Sequence, residues 1–221
     1  MLETDLVIFH LLQDSSRPGN ERAFTIGSVG EVITGLQSGI TQYTQPILAI
    51  LSRTLQDPEA EVRSNSAFAA GALIEWSEVD LSPQFGALFT ALSAFFKVDS
   101  NSSPDEVHAK DNAAGCIARM IIKNAAALPL EQILPVWLGG LPLTKDFIEN
   151  KPVFDAIFLL FEKRQDLIQP HLAHLLAVFS YVLQPAQQGQ LTNETQQKLE
   201  QLLLALRSTV PAEMFTAAGI Q

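Results

Sequence analysis

Hydrophobic positions in this chain recur three and four residues apart, and no stretch alternates apolar and polar with period two over a useful length. The pattern predicts an all-α protein. Its most explicit segment is Leu55-Gln56-Asp57-Pro58-Glu59-Ala60-Glu61-Val62-Arg63-Ser64-Asn65-Ser66-Ala67-Phe68-Ala69-Ala70-Gly71-Ala72-Leu73. An apolar helix stops at Leu55, Asp-Pro breaks the chain, and a second helix opens with Glu59 and Glu61 at the positive end of its dipole. Proline suits a first helical turn, where its missing N–H would be unpaired anyway, and Asp57 is placed to cap the free amides. The alanines and glycine that follow let a neighbouring helix approach closely. The same reading predicts helices over 21–38 and 43–56, 60–78 and 83–98, 106–124 and 130–139, 146–165 and 168–184, and 193–208. It adds an apolar helix over 2–13, polar loops over 14–20 and 184–193, and a short mixed piece over 211–221.

The helices repeat. Val62-Arg63-Ser64-Asn65 is echoed by Ala109-Lys110-Asp111-Asn112, each followed by small residues and a glycine. Arg22, Arg63, Lys110 and Lys151 hold the same place in four helices, at steps of 41, 47 and 41 residues. Apolar helices led by Pro46, Pro83 and Pro170 lie between them, and the longer step contains the polar insertion Asp99-Ser100-Asn101-Ser102-Ser103-Pro104. A two-helix unit of roughly 40–47 residues is the period of HEAT and armadillo arrays. The expected architecture is therefore an α-solenoid of about five HEAT-type antiparallel helix pairs, forming one unit over 1–221. Solenoid ends normally carry polar caps, and the helix over 2–13 is apolar, so a piece of a longer array is expected.

A net charge of −10 argues against direct nucleic-acid binding, which needs a basic footprint, and points toward a basic partner. Cys116 is the only cysteine, so no internal disulfide forms, which fits a reducing compartment. The apolar runs fall short of the ~20 residues of a membrane span, and 1–12 carries Glu3 and Asp5 without a basic leader. Catalytic chemistry is sparse. His171 and His174 lie three apart on one helix, but zinc wants three or four ligands and no further cluster stands nearby. Cys116 sits in a run of small residues and reads as packing. Gly27, Gly30, Gly35 and Gly39 follow no strand and form no phosphate loop. With no paired carboxylates and no Ser-His-Asp order, the chain is expected to be no enzyme and to need neither cofactor nor metal.

Winding the helix over 60–78 at 100° per residue separates two faces. Val62, Ser66, Ala69, Ala70 and Leu73 share one side and are expected to be buried; Glu61, Asn65, Phe68, Ala72 and Trp76 share another. The repeat offsets turn these positions into rows across the helices: Asn20, Glu61, His108 and Glu149, then Phe24, Asn65, Asn112 and Val153. A third row, Gly27, Phe68, Gly115 and Ala156, is mostly small, and another is Gly35, Trp76, Lys123 and Arg164. Such rows suit an extended peptide. Asparagine amides both donate to and accept from a peptide backbone, small residues let it come close, Trp76 offers a face to a cation, and carboxylates attract lysine. The candidate peptide-binding residues are Glu61, Asn65, Glu75, Trp76, His108, Asn112 and Glu149.

Four stretches resemble the C-terminal repeats of importin-4-type karyopherin-β nuclear import receptors. They are Glu21-Arg22-Ala23-Phe24-Thr25-Ile26-Gly27, Asp57 to Asn65, Asp111-Asn112-Ala113-Ala114-Gly115-Cys116-Ile117-Ala118-Arg119, and Leu141-Pro142-Leu143-Thr144-Lys145-Asp146-Phe147. The resemblance runs from about Glu21 to the end. It implies antiparallel helix pairs whose second helices line a concave groove, and traffic between cytoplasm and nucleus. It further implies cargo with basic tails, namely core histones, especially histone three, and ribosomal proteins. Ran-GTP would bind the family's N-terminal repeats, which nothing here matches. The family pattern carries over at Asn112 and Glu149, with Ile148 where a second carboxylate is usual, so a cargo lysine is expected between Asn112 and Glu149. Asp57–Arg63, Asp105–Lys110 and Asp146–Lys151 look like the structural charge ladder of such arrays. A different class of function, a structural scaffold for a folded partner, would use exposed ridges and loops and show little salt dependence.

Overall fold

A computed structural model describes residues 16–220, so the helix expected over 2–13 lies outside the described part. Among the described residues every regular element is helical. The α-helices longer than four residues are, in chain order, α1 (Gly19–Leu36), α2 (Thr44–Thr54), α3 (Ala60–Trp76), α4 (Phe85–Ser93), α5 (Pro104–Asn124), α6 (Leu130–Gly139), α7 (Asn150–Lys163), α8 (Leu172–Val182), α9 (Asn193–Leu206) and α10 (Ala212–Ala217). From α1 to α9 the odd helices are long and the even ones short.

Helix ends follow local chemistry. α5 opens on a capping box: Ser103 Oγ accepts from the Glu106 amide at 3.2 Å, and the Glu106 carboxylate accepts from the Ser103 amide at 2.7 Å. Thr192 caps α9 through the Thr195 amide. Asp57 does not cap α3 as expected: it lies two residues before the N-cap Glu59 and accepts from the Glu59 amide at 2.9 Å, closing the turn ahead of the helix. Short 3₁₀ turns, Ser82–Gln84 before α4 and Gln169–His171 before α8, hold Pro83 and Pro170 where a missing amide costs little.

Two sets of contacts fix the packing. Thr54, at the end of α2, meets Ser66 at 2.7 Å, while Thr44 at its start meets Ser77 just past α3 at 2.7 Å, so α2 and α3 are antiparallel. Along α3, Ser64, Gly71 and Glu75 meet Asn112, Cys116 and Arg119 of α5 in the same order, so successive long helices run parallel. α3 is thus flanked by α1 and α5, and Val62, Ser66, Ala69, Ala70 and Leu73 are all buried, as the helical wheel predicts. Elsewhere the fully buried Trp137 of α6 donates its indole N–H to the Ala114 carbonyl of α5 at 2.9 Å, and Phe154 of α7 packs on Phe179 of α8.

The register cations sit early in α1, α3, α5 and α7, and three of them reach into the next unit. Arg22 grips Asp57 through Nη2–Oδ1 at 2.7 Å and Nε–Oδ2 at 3.0 Å. Arg63 lies 5.9 Å from the Phe95 ring centre. Lys110 donates to the Gly140 carbonyl at 2.8 Å. Lys151 instead meets Asp155 on its own helix at 2.8 Å. This corrects the expected ladder pairs. The Asp57 carboxylate binds Arg22 of the preceding unit, because Arg63 is occupied by the Asp57 and Pro58 carbonyls, each at 2.8 Å. Lys110 lies 3.0 Å from its neighbour Asp111 rather than on Asp105. Asp146 lies 4.0 Å from His108 and makes no pair with Lys151. Asp111 is fully buried and gathers the amides of Thr144, Lys145 and Asp146 on Oδ2 at 2.9, 2.6 and 3.1 Å, which pins the loop leading into α7.

Candidate peptide-binding face

The residues chosen from sequence all lie along the long row, but at different depths. Glu61, Glu75 and His108 are exposed, Asn65 and Trp76 are half-buried, and Asn112 and Glu149 are 4% and 0% exposed. Burial deepens from α1 toward α7. In the first row Asn20, Glu61 and His108 are exposed while Glu149 is buried; in the second Phe24 is exposed while Asn112 and Val153 are buried. The cause is local. Phe147–Glu149 is not the start of α7 but a separate 3₁₀ turn, and it carries the Glu149 carboxylate against α5.

At the shallow end Glu61 and Asn65 line a groove of about 920 Å³ between α1 and α3, together with Asn20, Glu21, Phe24 and Glu31. Phe24 is 78% exposed. Glu21 is paired with Arg17, but among the described residues Glu31 and Glu61 have no ion-pair partner. Asn65 donates Nδ2 to the Ala23 carbonyl at 2.9 Å, which ties α3 to α1. Asn112 does the same job one helix on, donating Nδ2 to Ser64 Oγ at 3.0 Å, and its buried Oδ1 has no partner among the described residues.

At the deep end a charged relay runs from α3 across α5 to the 3₁₀ turn ahead of α7. Arg119 of α5 donates Nε to Glu75 of α3 at 2.8 Å, and both of its Nη groups to Glu149, Nη2 to Oε1 at 3.3 Å and Nη1 to Oε2. Two glycines make the space. A Cβ on Gly115 would stand 1.5 Å from Glu149 Oε2, and one on Gly71 would stand 3.2 Å from Arg119 Nη1. Burial pushes the Glu149 carboxyl above its ordinary range, while the Arg119 guanidinium pulls it back. Burial likewise works against the Arg119 charge, but Glu149 and then Glu75 outweigh it and hold that pKa above its usual value. Both Glu149 oxygens face the guanidinium, the two-pronged geometry of an arginine–carboxylate ion pair. Arg119 was absent from the candidate residues, although it stands seven after Asn112 on one helix face, a spacing that placed it beside the row. Lys123, in a predicted row, is spent on the α3 C-terminus, where it donates to the Ser77 carbonyl at 3.1 Å.

The remaining chemistry is structural. His174 contacts the Leu138 carbonyl at 2.8 Å through Nε2. Cys116 is buried, and burial pushes its thiol up to about 12, far from a nucleophile's range. Among the described residues no three His, Cys, Asp or Glu side chains gather as a metal site, and no helix is long and apolar enough to cross a membrane.

Parallel long helices, an antiparallel short row and cations that lock each unit to the next define a HEAT-type solenoid, a class that presents extended surface to other proteins. No protein-family model matches the sequence. The chain is 38% identical over 168 residues to the probable importin subunit beta-4 of Schizosaccharomyces pombe, a match covering 76% of this chain and 15% of that protein. It is 29% identical over 163 residues to importin-4 of Homo sapiens and 25% over 163 to importin-4 of Mus musculus, each covering 74% of this chain and 15% of the relative. The chain belongs to the importin-4 type of karyopherin-β, a family of nuclear import receptors and not of enzymes. It spans about 15% of the length of the curated relatives it matches.

Proposed function

We propose that this segment is a cargo-binding part of a nuclear import receptor and that it takes extended, lysine-rich segments along its row of long helices. The observation that carries this reading is the set of exposed carboxylates on the adjacent parallel helices α1 and α3, Glu31 and Glu61 in the groove with the exposed Phe24 ring and Glu75 further along α3. A lysine stem can lie on the phenyl ring while its ammonium meets Glu31 or Glu61, neither of which has an ion-pair partner among the described residues. Asn65, Trp76 and His108 flank the same path, and Asn112 and Glu149 support it from below. The family supports traffic between cytoplasm and nucleus. The resemblance in the C-terminal motifs supports tails of histones, histone three above all, and ribosomal proteins as cargo. Ran-GTP would act through repeats outside this chain.

Titration of a lysine-rich tail peptide against the purified chain, at low and at physiological salt, tests the reading. Binding should weaken with salt, because attraction from carboxylates is screened beyond about 8–10 Å at physiological ionic strength, and with acetylation of the peptide's lysines. Glu61→Ala should cost about two- to fivefold in affinity, the range of an exposed ion pair, while Gln84→Ala on the short row should cost nothing. Equal effects of the two substitutions, or salt-insensitive binding, would favour a scaffold for a folded partner instead.

A further inference from the structure

The relay at Arg119 decides which carboxylate an incoming cation can reach. Glu149 is 0% exposed and gives both oxygens to Arg119, whereas the Glu75 side chain is 45% exposed and gives Arg119 one oxygen, Oε2. Arg119 is itself only 10% exposed at its side chain, wedged over Gly71 and Gly115. A ligand's ammonium can therefore approach the exposed Glu75 side chain, whereas Glu149 is reached only by evicting a guanidinium from a site that fits it.

On the reading that this face binds basic segments, we propose that Glu75 is the carboxylate the cation meets, and that the buried Glu149 serves it at one remove by neutralising Arg119. Within this trio two carboxylates and one guanidinium leave one negative charge, with Lys123, 3.4 Å from the Glu75 carbonyl, outside the count and the same in every variant. Glu149 and Arg119 cancel most fully, because their contact is two-pronged and desolvated, and opposite charges attract more strongly where the dielectric is low. The uncancelled charge thus stays at the exposed end of the relay. Without Glu149, Arg119 would turn its whole charge on Glu75 and blank the contact, although Glu149 never touches the ligand. Arg119 is a positioning residue, and its rigid fork spans both carboxylates as a lysine's point charge cannot.

The charge count gives a test that separates contact from support. An unstructured lysine-rich peptide is titrated against the purified chain and its variants by fluorescence anisotropy, with thermal melts to check folding. Glu75→Gln should weaken binding about two- to fivefold and flatten its salt dependence. Glu149→Gln should weaken it comparably. The double variant Arg119→Gln with Glu149→Gln removes both members of the buried pair, strands no charge, keeps the net −1, and should bind within about twofold of the original chain. That double variant decides the matter even where Glu149→Gln alone fails to fold. Loss of binding in a folded double variant would show that Glu149 is a direct contact and overturn the inference, leaving peptide binding itself standing. Failure of the original chain to bind the peptide at all would overturn both.

Discussion

The Arg22–Asp57 pair shows how much a single side chain can carry in an array. Burial works against the Asp57 charge, but the Arg22 hydrogen bond and the Glu59 amide outweigh it and hold the carboxyl below its ordinary range. The folded state therefore binds this proton less tightly than the unfolded chain. The stability it confers is present above the ordinary carboxylate pKa and is lost as pH falls through the depressed folded value. Asp57→Asn should cost about 1–3 kcal/mol at neutral pH, between the worth of an exposed and a buried pair, and the gap from the original chain should close as pH drops. Urea unfolding of both proteins across an acid series measures it; Glu149, whose shift has the opposite sign, is common to both and cancels. A gap unchanged by pH would mean that Asp57 matters by shape and not by charge. The aspartate was legible in sequence, but its partner was not. Arg63, in the helix that follows, is nearer along the chain, and only the packing of α1 on α3 brings Arg22 closer.

Among elements, the loop ahead of α7 is held by one side chain. Asp111→Ala would leave the amides of Thr144, Lys145 and Asp146 without their acceptor and Lys110 without its neighbouring charge. The expected cost is about 2–4 kcal/mol, from several unmade hydrogen bonds to a charged acceptor. Hydrogen exchange should speed up at those three amides in particular; unchanged protection there would show that the loop is held by its own contacts. Helix positions were readable because the apolar periodicity is strong, and most starts and stops fell within a few residues of prediction. The start of α7 was misplaced by four, from 146 to Asn150. Asp146 to Glu149 is compatible with helix locally, and the interaction that stops it comes from Asp111, distant in sequence. Pro152, in the first turn of α7, was the local cue for the later start. That displacement accounts for the depth of Glu149, and hence for the part of the candidate face that sequence placed in the groove and folding placed beneath it.

Across the whole molecule, cohesion is uneven. α1, α3, α5 and α7 press together through small residues, whereas α7 and α9 are separated by a groove of about 580 Å³ lined by Asp155, Phe158, Leu159, Lys198 and Leu202. Lys198 spans it to Asp155 at 3.8 Å. In a solenoid each unit is stabilised mainly by its neighbours, so the units from α8 onward should open at lower free energy than α3 to α5. Native-state hydrogen exchange with increasing urea would reveal this as separate protection limits; a single limit for the whole chain would contradict it. Repeat period and helix order were legible at this scale, because both are written in the sequence. The differences in spacing between neighbouring helices were not, since they depend on which small residues meet. The polar excursion between α4 and α5 has a practical consequence. Its turn is closed on itself, with Asp99 Oδ1 accepting from the Asn101 amide at 2.8 Å and Ser102 Oγ accepting from the Asp99 amide at 3.0 Å. Ser103 then restarts α5 by its own capping box, so the helix does not inherit its register from the turn. The array has a built-in socket there: a fluorophore or a small folded reporter could be grafted after Asn101 while Lys110 still finds Gly140 and Asn112 still finds Ser64.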